Sequence, residues 1–266
     1  MVNLIDSHCH FDDASFDADR DAAYRRACAA GIAIQVLPAV CARGWSKLKT
    51  VRARYPGLYA AYGLHPVYLA EHRPQHLQEL GQWLERERPV AVGECGLDFF
   101  LPDLDGDTQI TYFDAQLKLA RDYELPVVIH ARRAVDVVIK YIRRYPGLRG
   151  TVHSFSGSEQ QARRLLDLNF LLSFGGPLSY PRANRLRTLV RQLPLEGLLL
   201  ETDAPDQPGL THRGGRNEPA FLPETLAVMA ELREQDPTAI AVATSANAQR
   251  LFHFDPCPTP PPAPRS

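Results

Sequence analysis

The chain has 266 residues, 45% hydrophobic and 23% charged, with a formal net charge of -1 at pH 7. That balance fits an ordinary soluble globular protein of one large or two small domains and excludes fibrous, disulfide-stapled and wholly disordered classes. It also excludes a global attraction to nucleic acid or anionic membranes, so any polyanion must be held by a local patch or by metal ions.

In chain order, short apolar runs alternate with amphipathic segments. The strand Asn3–Asp6 leads to a helix over Asp17–Ala30, and strands Ala33–Pro38 and Leu58–Gly63 precede a helix over Gln75–Glu87. The strand Val90–Glu94 and helix Ile110–Tyr123 flank a polar insertion, Leu101–Thr108, where a barrel places active-site loops. Strand Val127–His130 then pairs with helix Arg133–Tyr145, Thr151–His153 with Glu159–Leu168, and Phe170–Phe174 with Pro181–Gln192. The eighth strand, Leu198–Glu201, is followed by a helix over Pro223–Arg233. Eight strand-then-helix units predict a (β/α)8 TIM barrel, an α/β fold in a single domain over residues 1–254. Neither GxGxxG nor GxxxxGK[ST] occurs, which argues against an open nucleotide-binding sheet. Residues 255–266 hold six prolines in twelve positions and are expected to form a disordered tail.

The five cysteines are irregularly spaced and contain no CxxC pair, so a reducing compartment is expected. The acids and histidines between Asp6 and Asp13 break up any secretory leader, and no later stretch resembles a membrane span. The expected location is cytoplasmic, with no membrane association.

The chemistry starts at Asp6-Ser7-His8-Cys9-His10, where alternate residues of an extended strand turn both imidazoles to one side. Four more strand candidates end on or beside a metal-binding type: Glu94, His130, His153 and Asp203. Singly, such a histidine is usually a satisfied core residue, and such a carboxylate usually caps the next helix. Jointly they converge, because the C-terminal ends of all eight barrel strands meet at one mouth. His8, His10 and Asp203 with Glu94 suit one ion, and Glu94, His130 and His153 suit a second, with Glu94 as the bridge. Mixed imidazole and carboxylate ligands suit zinc, manganese, cobalt or nickel, and magnesium where one site is mainly water and carboxylate. Two such ions would activate water and stabilise a leaving oxygen, with Asp203 taking the proton and Asp203 and Glu94 forming the catalytic pair.

DSHCH at 6–10, GLHP at 63–66, GECGLD at 93–98, IHAR at 129–132, HSFSG at 153–157 and ETDAP at 201–205 together resemble the TatD family of metal-dependent deoxyribonucleases. The resemblance covers the chain to about Phe254. It implies a TIM barrel of the metallo-dependent hydrolase superfamily, hydrolysis of phosphodiesters in DNA, and the same six metal ligands. Many binuclear relatives in that superfamily bridge their metals with a carboxylated lysine at the end of the fourth strand. Here Glu94 stands in that place, and none of the four lysines, Lys47, Lys49, Lys118 and Lys140, follows a strand candidate.

Around the metals, His65, Arg132 and Arg216 are the candidates for holding phosphate. Arginine grips a phosphate through two parallel hydrogen bonds, and Arg216 lies in a segment resembling the family's RNEP loop. Arg133, Arg143, Arg144, Arg163 and Arg164 are read as a solvated helix face, and Asp98 as either a loop residue or one that orients a ligand. Asp206, placed beside the mouth, disfavours a long polyanion. The leading expectation is a cytoplasmic, monomeric nuclease using two divalent ions on DNA or a short oligonucleotide, cutting from a 3′ end. The alternatives are a hydrolase of an ester or amide on the same centre, and a non-catalytic binding module.

Overall fold

The computed structural model describes residues 3–254. Their elements run β1 Leu4–Asp6, α1 Arg20–Ala29, β2 Ile32–Pro38, α2 Trp45–Arg54, β3 Leu58–Tyr62, α3 Pro74–Glu87, β4 Ala91–Asp98, α4 Gly106–Asp122 and β5 Val127–Arg132. There follow α5 Val135–Ile142, β6 Gly150–Val152, α6 Glu159–Asp167, β7 Phe170–Phe174, α7 Asn184–Gln192, β8 Leu198–Leu200, α8 Leu222–Arg233 and α9 Pro237–Phe252. Each strand pairs in parallel with its successor, in the order β1 to β8. Past the strand ends, backbone bonds from Ser7 N–H to Leu200 O (3.0 Å) and Asp203 N–H to His8 O (2.9 Å) bring β8 back against β1. The expected (β/α)8 barrel is therefore present, in a single domain. The proline-rich segment expected to be a tail lies outside the described residues.

The strands read as near-continuous apolar runs because a parallel sheet is covered on both faces. Ile5, Val36, Ala61, Ala91, Val128 and Leu199 cluster with Leu251 and Phe252 of α9 and with Phe254, so the last helix plugs the end of the barrel away from the mouth. The helices make the outer layer, and α5 shows how: Val135, Val138, Ile139 and Ile142 recur at helical spacing and are all buried. Each such side chain contributes about 1.5–3 kcal/mol by leaving water. At the opposite end of each helix-strand unit the caps are local, as where Ser158 and Gln161 close a reciprocal capping box on α6.

Three expectations shift. β4 continues four residues past Glu94, because Cys95, Leu97 and Asp98 pair with Ile129, Ala131 and Arg132 of β5. α4 begins at Gly106, so the insertion read as Leu101–Thr108 is shortened at its far end. Asp105 accepts from Thr108 N–H at 2.7 Å and starts the helix despite the glycine. α1 begins at Arg20, and Ala14–Phe16 forms a separate short turn. α2 and α9 had no counterpart among the sequence-predicted helices.

Candidate metal centre

The mouth is assembled from the β1–β8 seam. Asp6 is fully buried and accepts from Thr202 Oγ1 (2.6 Å) and Thr202 N–H (3.0 Å), locking the end of β1 to the chain leaving β8. His8 and His10 follow, with their Nε2 atoms 3.3 Å apart. Each Nε2 lies 3.3 Å from Glu94 Oε2. Asp203 Oδ1 completes this half at 3.3 Å from His8 and 3.6 Å from His10. His10 Nδ1 lies 3.1 Å from the Pro38 carbonyl, an acceptor only, so in the neutral ring the proton belongs there and Nε2 keeps its lone pair.

The other carboxylate oxygen faces a second set. Glu94 Oε1 lies 2.8 Å from His153 Nε2, 2.9 Å from His65 Nε2 and 3.4 Å from His130 Nδ1. His130 is fixed from behind by Asp98, whose Oδ2 is 3.0 Å from Nε2, while Asp98 Oδ1 accepts from Phe100 N–H (2.9 Å). Asp98 is thus a carboxylate behind an imidazole, the arrangement that sets tautomer and basicity in metal sites. His65 behaves differently: its Nδ1 accepts from Val67 N–H at 3.0 Å, which puts its proton on Nε2, directed at Glu94. Although His65, Glu94 and His130 are close enough to share an ion, that tautomer makes His65 a donor that orients Glu94.

β4 places Glu94 through an irregular register with β5 between Val92 and Cys95, a local shift of the kind that re-aims side chains beside active sites. Gly96 lets the two strands approach. At φ 139°, a Cβ there would sit 2.0 Å from the His130 carbonyl oxygen.

Burial dominates the electrostatics, and charge decides where it loses. Burial disfavours an ionised Glu94, yet His65, His153 and His8 hold its carboxyl well below the usual range. Burial presses His8 down from the usual imidazole range and His65 to about 4. It opposes charge on His10 too, but Glu94 and Asp203 carry that ring up to about 10. Among the described residues, no lysine or arginine pairs with Glu94 or Asp203. Two buried carboxylates ringed by imidazoles, with no fixed cation, form a donor set that fits divalent metal. His8, His10 and Glu94 hold their ligand atoms within 4.8 Å of one another.

Sequence reasoning missed Glu201. It is buried, accepts from Ser154 N–H (2.7 Å) and the Ser173 hydroxyl, and sits 4.0 Å from His153 Nδ1. Burial pushes its carboxyl up to about 8. The signal was available, since Glu201 and Asp203 have the alternate spacing that singled out His8 and His10. Asp203 itself accepts from the Gln207 amide, whose oxygen accepts from Ser154 Oγ at 2.8 Å.

Four expected ligands, His8, His10, His130 and His153, close directly around Glu94, and Asp203 joins them through His8 and His10. The other candidates divide. His65 is inside the cluster, with Nε2 2.9 Å from Glu94 Oε1, and it also lines the cavity. Arg132 stands on the rim of the cavity, with its guanidinium carbon 3.7 Å from the centre of the Phe100 ring. Arg216 is not brought to the cavity. Its guanidinium bonds Asp19 at 2.7 and 2.9 Å, Glu218 at 2.7 Å and the Ser15 carbonyl at 2.6 Å, which engages both of its terminal nitrogens. The neighbouring Asn217 explains the RNEP segment instead. It is buried, and its amide donates to the Thr202 (2.7 Å) and Asp206 (2.8 Å) carbonyls, holding the loop that carries Asp203. The cavity over the cluster measures about 660 Å3, and Asp12, Asp13 and Asp206 line one side of it. Among the described residues, no helix is long and apolar enough to cross a membrane.

Residues 5–253 match the family model described as TatD related DNase. The metal-dependent hydrolase YjjV of Escherichia coli strain K12 is 42% identical, over 95% of this chain and 99% of its own length. Its crystal structure superposes with a TM-score of 0.91, covering 95% of this chain and 98% of that one. A protein of Erwinia billingiae named 3′-5′ ssDNA/RNA exonuclease TatD is 32% identical, over 94% of this chain and 99% of its own. These likenesses are to hydrolases and remove the reading of a non-catalytic barrel.

Proposed function

The chain belongs to the TatD family of metal-dependent hydrolases, and on that premise we propose that it hydrolyses phosphodiester bonds in single-stranded DNA from a 3′ end, at a centre of two divalent ions. Glu94 carries this reading. One of its oxygens faces His8 and His10 and the other faces His130 and His153, so a single carboxylate stands between two donor sets. His8, His10 and Asp203 would hold one ion and His130 and His153 the other, with Glu94 shared. When bound, such a pair lowers the pKa of water and stabilises anionic oxygen.

The chain's own residues supply the rest. Asp203 lies at the floor of the cavity with Oδ1 toward His8, where it can take a proton from the attacking water. Gln207 and Ser154 hold that carboxylate in line. His65 donates to Glu94 and keeps it from turning. Asp98 fixes the His130 ring. Arg132 on the rim is placed to meet a phosphate. The name of the Erwinia billingiae relative supports the single-stranded substrate and the direction of digestion. Every group comes from one chain, so a monomer suffices, and the buried free thiols of Cys9, Cys41 and Cys95 suit a reducing cytoplasm.

The test is hydrolysis of 5′-labelled single-stranded oligonucleotides with Zn2+, Mn2+, Co2+ or Mg2+ supplied. Asp203→Asn keeps the shape and tolerates the left-handed backbone at φ 58°, and it should slow hydrolysis by at least about a hundredfold. Wild-type protein that leaves every oligonucleotide intact while turning over a carboxylic ester would replace this reading with the ester hydrolase.

A further inference from the structure

The rim of the cavity is electrically divided. The acids Asp12, Asp13 and Asp206 lie beyond β1 and β8. β5 lies four strands from β1 in the strand order, across the barrel from it. There the cavity shares Ala131, Arg132 and Ser156 with a second groove of about 520 Å3, between the starts of α5 and α6. Arg132, Arg133 and Arg185 line that groove, with one acid, Asp136, already accepting from the Gln161 amide at 2.8 Å.

Many of the protein's surface arginines are neutralised, as Arg26, Arg43, Arg54, Arg121 and Arg163 show. Among the described residues, no carboxylate lies within ion-pair distance of Arg132, Arg133 or Arg185. Between two of them stands Phe100, an exposed aromatic on the loop after β4. The guanidinium carbons of Arg132 and Arg133 lie 3.7 and 4.7 Å from its ring centre. The ring steadies both cations while their N–H groups are left without an anion.

We propose that this groove binds single-stranded nucleic acid, gripping the phosphates next along from the bond being cut. The strand leaves the cavity past Phe100 and between Arg133 and Arg185, and the acids beyond β1 and β8 repel it from their side. The inference rests on the cavity being a phosphodiesterase site. Guanidinium and phenyl faces stack on any base, so the groove holds a strand with little regard to sequence.

The experiment measures fluorescence anisotropy of a labelled oligothymidylate of about ten nucleotides, in chelator across a salt series. The double variant R133A/R185A is compared with wild type and with R52A/R143A. The latter removes the same charge from exposed positions near the C-terminal ends of α2 and α5, away from the mouth. R133A/R185A should bind at least about tenfold more weakly. Its slope of log Kd against log salt should fall by about 1.4, which is about 0.7 for each phosphate that an arginine no longer neutralises. R52A/R143A should move neither. Equal affinity and slope in R133A/R185A and wild type, or no binding by wild type, would overturn the inference. Turnover of bis(p-nitrophenyl) phosphate by metal-loaded wild type reads the catalytic centre separately. Turnover with unchanged oligonucleotide affinity defeats the groove alone, and arginine-dependent binding without turnover of any diester defeats the catalytic reading alone.

Discussion

Arg216 shows how a residue can match a motif and still lie outside the chemistry. Its bonds to Asp19, Glu218 and the Ser15 carbonyl tie the loop after β8 to the segment before α1. Arg216→Ala should therefore cost about 1 kcal/mol in urea unfolding, as expected for a partly exposed bidentate pair, and leave KM for an oligonucleotide within about twofold. A large rise in KM at unchanged stability would return Arg216 to the substrate. Asn217 should matter more. Asn217→Ala strands the buried Thr202 carbonyl and removes the bond to the Asp206 carbonyl, and should cost about 1–3 kcal/mol, lowering the urea midpoint without changing the slope; an unchanged midpoint would contradict the clamp. At this scale the ligand set was legible because alternate spacing and strand-end position are sequence properties. The occupancy of Arg216 was not, since its partners Asp19 and Ser15 lie about two hundred residues away in the chain. Nor was the tautomer of His65, which depends on the direction of one backbone N–H.

Among the elements, β4 does the most to shape the site, and Gly96 is its tightest point. A Cβ there meets the His130 carbonyl at 2.0 Å with φ at 139°, so Gly96→Ala must push β4 from β5 or twist both. The expected loss is about 2–5 kcal/mol, from overpacking and the disfavoured backbone together. It should appear as a lower thermal midpoint together with weaker metal binding, because His130 rides on the same carbonyl; wild-type stability would refute the tight approach. Apart from the far ends of β4 and β5, the strands were legible to within a residue because both faces are buried and their apolar runs are bounded by polar turns. α2 and α9 were not. α2 buries Trp45, Leu48 and Val51 among basic residues, and α9 is built largely from alanine, serine and threonine, whose periodic contrast is weak. The start of α4 was hidden behind Gly106, a poor helix former overruled by the Asp105 cap.

For the molecule as a whole, the barrel turns six positions between residues 8 and 203 into neighbours, and it also sets charge across the mouth. Acids stand beyond β1 and β8, and unpaired arginines stand at the end of β5 and at the start of α7, beyond β7. The alternation of strands and helices predicted the first property. The second needed the closed order of strands, since nothing in the near-neutral total charge reveals a divided rim. Asp206, read from sequence as an obstacle to a long polyanion, becomes part of an acidic side that turns a strand toward the arginines.

The central claim is that Glu94 joins two metal sites. Equilibrium dialysis of metal-free protein against Mn2+, followed by elemental analysis, measures it directly. Wild type should retain two ions per chain at saturation, and Glu94→Gln, which keeps the side chain's size but removes the shared charge, should retain at most one. A wild-type chain that saturates with one ion or none, or a Glu94→Gln chain that still holds two, would contradict the account.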